Sequence, residues 1–325
     1  MLRAFAPLRF QPFDATTSIP NIIVDGRAND ATLLTLSHWP KTNTPAGFKA
    51  DTSTESVLRF LRSADRDRTL ARVQAVSNNH LDADGLVGIW ALLNMRKGLA
   101  QAEMLTAIAQ AGDFTLFTDP LAVKVSLVLQ NHRQRSYEAL LPRLPDMVDN
   151  IWSYADEWQE DYAEILRSQT RVARQKVRIT DVPELDLRIV ESDSAIHPMA
   201  VYVPGRLYRV LFITNGVFDF VYRYETWVQL ASHHPAPRID LRLLTYVLQQ
   251  MEPRPGRWTF DGLAQIVPHL SFTNSAGRPI RSGISPPMFI SILTQYLQRQ
   301  AKDRELLWEP YDAPVVPAAT ASVHP

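Results

Sequence analysis

The chain has 325 residues, 46% of them apolar, and its 34 Lys and Arg balance its 34 Asp and Glu to a formal net charge of zero. That balance gives no support to a nucleic-acid or membrane surface, although a locally basic groove stays compatible with it. The absence of cysteine rules out disulfides, thiolate zinc sites and cysteine nucleophiles. The length suits one large domain or two ordinary ones. Met1 to Asp14 lacks the apolar stretch and small-residue cleavage site of a signal peptide, and no segment approaches a membrane span, so a soluble cytoplasmic protein is expected.

In chain order, Asn21–Asp25 and Ala31–Leu36 read as short apolar strands, the first ending in Asp25-Gly26 and the second at Ser37-His38-Trp39-Pro40. Thr52 and Glu55 fit a capping box that opens a helix with Val57, Leu58, Phe60 and Leu61 on its apolar side. An apolar lead-in (Val73, Ala75, Val76) then precedes His80-Leu81-Asp82-Ala83-Asp84-Gly85 and a helical run, Leu86–Leu93. Ala102–Ala111 is a further helix, closing on Gly112-Asp113. This alternation predicts an α/β domain over residues 18–141, a mostly parallel sheet with flanking helices.

Leu141-Pro142-Arg143-Leu144-Pro145 breaks the pattern and marks the expected domain boundary. A long helix follows, with Trp152, Trp158 and Ile165 on one face and a solvated set of acids elsewhere. From Val177 the apolar period is two, predicting antiparallel strands at Arg188–Val190, Ala200–Val203, Tyr208–Thr214 and Phe218–Val228. Leu241–Met251, Phe260–Val267 and Pro287–Leu297 read as helices. The second domain, 146–309, is therefore expected to be a smaller α+β domain with antiparallel strands, followed by a disordered tail over 310–325.

The segment around His80 carries the chemistry. At a strand end alternate residues point one way, so His80, Asp82 and Asp84 converge while Leu81 and Ala83 turn inward. Two carboxylates and an imidazole in one place call for a cation; oxygen ligands suit Mg or Mn, and the imidazole tilts the choice toward Mn. Gly85 would let the chain turn into the helix. The plainer reading is an Asp-rich turn capping a helix. Ser232-His233-His234-Pro235 reads as a surface loop. Arg223 and Glu225, between aromatic strand positions, form either an interior ion pair or a site where Arg223 meets a substrate phosphate. The chain lacks a glycine-rich phosphate loop and a Gly-x-Ser-x-Gly elbow.

His80-x-Asp82-x-Asp84-Gly85 with its apolar helix resembles the first motif of the DHH phosphoesterases. The strand leading to Ser37-His38-Trp39, then Asn43 and Ser53-Thr54-Glu55, is similar in layout to that family's third motif, an Asp-His-His strand end followed by Asn and a Ser-Thr-x-Glu helix. Ala107–Asp113 is similar to the fourth motif, and Asp25 matches the bridging Asp of the second. The likeness covers about Asn21 to Leu116. The family's order is one, two, three, four; here it is two, three, one, four, and Asp-His-His has become Ser37-His38-Trp39.

The resemblance implies a metal set of Asp25, His38, His80, Asp82, Asp84 and Asp113 at one sheet edge, holding one or two Mn or Mg ions where the family holds two. It implies a catalytic role for His38, substrate contacts from Asn43, and a second domain that closes over the cleft. The expected activity is metal-dependent hydrolysis of a phosphodiester, nucleotide or pyrophosphate-type substrate. The alternative is a degenerate relative that binds a nucleotide or a protein partner without hydrolysis.

Overall fold

The computed structural model describes residues 8–311, so the expected tail falls, from residue 312 onward, outside the described residues, as do residues 1–7 of the N-terminal segment. The chain forms two compact units. The first runs to Glu164 and takes in Gln229–His234; the second comprises Ile165–Val228 and the chain from Pro235.

The first unit contains β1 (Arg9–Phe10), β2 (Asn21–Val24), β3 (Thr32–Leu36), α1 (Ser53–Arg62), α2 (Arg66–Leu70), β4 (Ala75–Ser77), α3 (Ala83–Leu93), α4 (Met95–Ala100), α5 (Ala102–Asp113), α6 (Pro120–Asn131), α7 (Tyr137–Leu140) and α8 (Leu144–Asp149). Its sheet has the order β1-β4-β2-β3, and all neighbours are parallel. Ile22, Ile23 and Val24 are wholly buried, the condition of a central parallel strand covered on both faces. α1 packs on α3 and α3 on α5. The predicted capping box is present: the Thr52 hydroxyl accepts from Glu55 N–H and the Glu55 carboxylate from Thr52 N–H.

The units divide between Glu164 and Ile165, within α9 (Ala155–Ala173), rather than at Leu141–Pro145. Leu140, Leu141, Leu144 and Met147 are buried, and their apolar side chains hold the proline-flanked segment to the first core.

The second unit adds β5 (Arg178–Val182), β6 (Leu187–Ser192), β7 (Arg209–Thr214), β8 (Val217–Tyr222), β9 (Arg238–Ile239), α10 (Arg242–Met251), β10 (Arg257–Phe260), β11 (His269–Thr273), α11 (Pro286–Gln300) and β12 (Leu307–Trp308). Six strands form a mixed sheet in the order β10-β11-β8-β7-β6-β5, with β6 and β7 parallel and the other pairs antiparallel. It is larger than the four-stranded first sheet, reversing the expected relation. Phe218, Phe220 and Tyr222 alternate into a core with Leu244, Leu248 and Phe289.

Three predicted elements differ. Ala200–Val203 is not a strand; Pro198–Ala200 forms a short 3-10 turn. The strand from Phe218 stops at Tyr222, and Tyr224–Thr226 is a 3-10 turn beside the buried Arg223. Phe260–Val267 is not helical, because buried Arg238 draws the carbonyls of Leu263, Gln265 and Ile266 onto its guanidinium. No helix among the described residues is long and apolar enough to cross a membrane.

Candidate metal centre

Three neighbouring parallel strands deliver the site from their carboxyl ends, where open α/β sheets hold ligands. Asp25 follows β2, His38 follows β3 by two residues, and the chain after β4 leads to His80. Asp25 takes a left-handed backbone, φ 51°, which Asp tolerates better than most residues. His80, Asp82 and Asp84 do converge, but not by strand alternation. β4 ends at Ser77; Asp82 is the N-cap of α3 and Asp84 lies in its first turn. The Asp82 carboxylate accepts from Gly85 N–H at 2.8 Å, so the capping reading and the ligand reading describe the same residue. Gly85 is helical and makes no special turn. It is small because a Cβ there would meet Asn78 Nδ2 at 2.3 Å and Tyr137 Oη at 2.6 Å. Asp113 ends α5, and Gly112 beside it lets α5 approach Ala83 closely.

All six predicted ligands meet, in two groups rather than around one point. Asp25, His38, Asp84 and Asp113 form one; Asp25, His80 and Asp82 form the other; within each, donor atoms lie within 4.8 Å of one another. His38 Nε2 stands 3.3 Å from Asp25 Oδ1, 3.5 Å from Asp113 Oδ2 and 3.8 Å from Asp84 Oδ2. His80 Nε2 stands 3.2 Å from Asp25 Oδ2 and 2.8 Å from Asp82 Oδ2. Asp25 thus offers one oxygen to each group. The first group is buried except for half-buried Asp113, whose side chain is 5% exposed, whereas the Asp82 side chain is 31% exposed.

Residues that sequence reasoning did not single out hold this arrangement. Ser53 touches three ligands: its hydroxyl donates to Asp25 Oδ1 (2.7 Å) and accepts from His38 N–H, and its own N–H donates to Asp84 Oδ2 (2.7 Å). Thr54 N–H donates to Asp84 Oδ1 at 2.7 Å, so Asp84 satisfies two otherwise orphaned amides at the start of α1. The Asp51 carbonyl accepts from His38 Nδ1 at 2.6 Å. A carbonyl only accepts, so Nδ1 carries the proton and Nε2 is the donor atom turned to the carboxylates. The only sequence signal for these roles is Ser53-Thr54-Glu55 at a helix start. Ser37 accepts from the amides of Gly26 and Trp39, fixing the turns after both strands. The Trp39 ring lies against His80, tilted by 35° with ring centroids 4.7 Å apart.

The charges are strongly coupled. Burial alone pushes the Asp25 carboxyl up, but hydrogen bonds and charge from His38 and His80 outweigh it and hold it well below the usual carboxylate range. Burial pulls His38 down, and the Asp25 hydrogen bond with the charges of Asp25 and Asp84 reverses this, to about 9. For His80 burial is likewise overcome, here by the Asp82 charge and the Asp25 hydrogen bond, to about 10. Burial and the Asp25 charge raise Asp84 to about 7. Four carboxylates therefore face at most two imidazolium charges.

These donors fit divalent ions. Metal–ligand bonds of about 2.1 Å put neighbouring donors about 3 to 4.5 Å apart, the scale of the distances here. Asp25 Oδ2 is buried and its contact with His80 Nε2, at 3.2 Å, is poorly aligned, leaving a polar atom that a cation would satisfy. Buried carboxylates with imidazoles suit a hard or borderline ion.

The other predicted site residues lie elsewhere. Asn43 is exposed in the loop after β3. Arg223 belongs to the second unit, where it is buried, paired with Glu225 and bonded to the carbonyls of Val203 and Arg206. The interior ion pair is therefore the alternative that the geometry supports over a substrate phosphate, with the Arg223 guanidinium turned to Glu225 and to main-chain carbonyls.

Residues 6–306 match the model of DUF6687, a family of unknown function, and the chain belongs to that family. No curated protein matches it.

Proposed function

We propose that the chain is a divalent-metal-dependent phosphohydrolase, akin to the DHH phosphoesterases with its motifs in rearranged order. A phosphodiester, nucleotide or pyrophosphate-type compound is its substrate. The observation that carries this reading is the division of the Asp25 carboxylate between two donor groups, the arrangement that two-metal phosphoryl chemistry uses. Asp25, His80 and Asp82 would hold one ion, Mn or Mg, and Asp25, His38, Asp84 and Asp113 the other. Such ions, when bound, supply Lewis acidity and an acidified water for in-line displacement at phosphorus. The chain's own part is to fix the donors: Ser53 spaces Asp25 from Asp84, and Asp51 sets the His38 tautomer. The role of His38 in this reading is that of a ligand, since it is buried among carboxylates. A cytoplasmic setting suits a cysteine-free chain that asks for no oxidising compartment.

One observation favours a second reading. Trp39 stands where the third motif of the DHH family has its second histidine, and its ring lies tilted against His80. A chain so altered would bind a nucleotide or a protein partner without hydrolysing anything. Metal analysis of protein purified without chelator, followed by Mn-dependent hydrolysis of pyrophosphate, a dinucleotide and a short oligonucleotide, separates the cases. Two ions with turnover of any of the three supports the enzyme. Two ions without turnover favours the binding protein, and a metal-free protein that takes up no Mn refutes the metal-dependent enzyme.

A further inference from the structure

His38 is held by a stretch of chain far away in sequence. Besides the bonds of its N–H to Ser53 and its Nδ1 to Asp51, its carbonyl accepts from Gln229 N–H at 2.7 Å. Two residues further on, the Asp51 carboxylate clasps the same segment. Oδ1 accepts from the amides of Ala231 and Ser232, each at 2.8 Å, and Oδ2 accepts from the Ser232 hydroxyl at 2.6 Å. Between these anchors Leu230 is buried, at 4% exposure. The strip Gln229–Ser232 is thus fastened by four hydrogen bonds to His38 and to the residue that fixes the His38 tautomer. A surface loop with no task would not need a carboxylate to gather three donors, since backbone amides at the surface are satisfied by water.

We propose that Asp51 is a positioning residue for the metal centre, and that through it the segment Gln229–Ser232 acts as a brace that aims His38 Nε2 at the group Asp25, Asp84 and Asp113. The inference rests on the metal reading above. The mechanism is mechanical. The Asp51 carbonyl can set the His38 ring only if Asp51 itself is fixed, and its carboxylate fixes it to the strip that also holds the His38 carbonyl. Partners behind a ligand histidine of this kind carry about 10- to 100-fold in metal affinity. Neither Asp51 nor the strip belongs to a donor group, so the effect reaches the ions indirectly, through His38.

The test is Mn(II) titration calorimetry on the full chain, with circular dichroism to verify folding and long-range 1H–15N spectra of metal-free protein, at a pH where the imidazole is neutral, to read the His38 tautomer. Asp51→Ala is expected to stay folded, to weaken one of two Mn sites about 10- to 100-fold, and to convert a single Nδ1–H tautomer into a mixture. Asp51→Asn, which retains one acceptor, should fall between. Wild-type affinity and an unchanged tautomer in folded Asp51→Ala would overturn the brace while leaving the metal reading intact. A wild-type protein that binds no Mn overturns the metal reading and the brace together. Should Asp51→Ala fail to fold, Ser232→Ala, which deletes one bond of the clasp, decides: a few-fold loss at one site supports the brace, and no change refutes it.

Discussion

His38 and His80 both face Asp25, yet they are held differently. His38 is pinned through its ring nitrogen to the Asp51 carbonyl and through its backbone to Ser53 and Gln229. The ring of His80 has no such tether: its Nδ1 is buried without a hydrogen-bond partner, and the Trp39 ring lies tilted against it instead. His80 is hydrogen-bonded through its backbone, to Asn78 and Tyr137. The His38 group is closed to solvent, while the His80 group opens through Asp82. A buried, tethered donor group holds an ion in one geometry, and an open one can exchange ligands. On the proposed function, the inner group would retain its ion and the outer group would meet the substrate.

The largest test removes what the groups share. Asp25→Asn keeps the left-handed backbone, which Asn also tolerates, and is expected to abolish Mn binding at both groups, a greater loss than the roughly 10- to 100-fold carried by a partner behind a ligand. Calorimetry retaining one full site would show that Asp25 serves a single group. Next come the histidines in chelator-treated protein. His38→Ala leaves buried Asp25, Asp84 and Asp113 without their common imidazole and is expected to cost about 3–5 kcal/mol. His80→Ala, at a partly open position, should cost less, about 1–3 kcal/mol. Equal losses in urea unfolding would erase the distinction between a fixed and an adjustable group.

Asp84→Asn is expected to lose metal at the inner group and about 1–3 kcal/mol of metal-free stability. Relief of repulsion among the acids would predict no loss. However, both Asp84 oxygens serve amides of α1, and an Asn nitrogen would face one of those N–H groups. An unchanged melting temperature would mean that α1 finds other acceptors. The smallest effect is that of pH on metal-free protein. His38 and His80 are raised from 6.5 to about 9 and about 10, so the folded state binds protons more tightly than the unfolded chain. Their contribution is complete below pH 6.5 and is lost as pH rises through 9 and 10. Metal-free protein should therefore melt at lower temperature at pH 9.5 than at pH 7, whereas Mn affinity should rise over the same range as the imidazoles give up their protons. A melting temperature that climbs with pH in chelator would contradict these ion pairs.

Much of the centre was legible in the residues themselves. Short apolar runs ending in Asp25, in Ser37-His38 and near His80 declare strands that finish in chemistry, and a shared sheet edge follows from parallel α/β packing alone. The capping box at Thr52 and Glu55 is equally local. What a linear reading missed has one physical cause, competition for backbone and charge by partners remote in the chain. Phe260–Val267 has helical composition, but the buried Arg238 takes its carbonyls. The Leu141–Pro145 break does not divide the units, because the leucines around it are buried.

The donor set was thus determined by residue type and position along the chain: six side chains of the right chemistry, each at the end of a strand or at a helix terminus. Their division into two groups was decided in three dimensions. Which oxygen of Asp25 faces which histidine depends on the Ser53 hydroxyl, on the left-handed turn at Asp25 and on the approach of α5 to α3. Those are contacts between segments tens of residues apart, and no periodicity or spacing encodes them. The same is true of Ser232, which reads as a surface turn until its two hydrogen bonds to Asp51 are seen, 181 residues away.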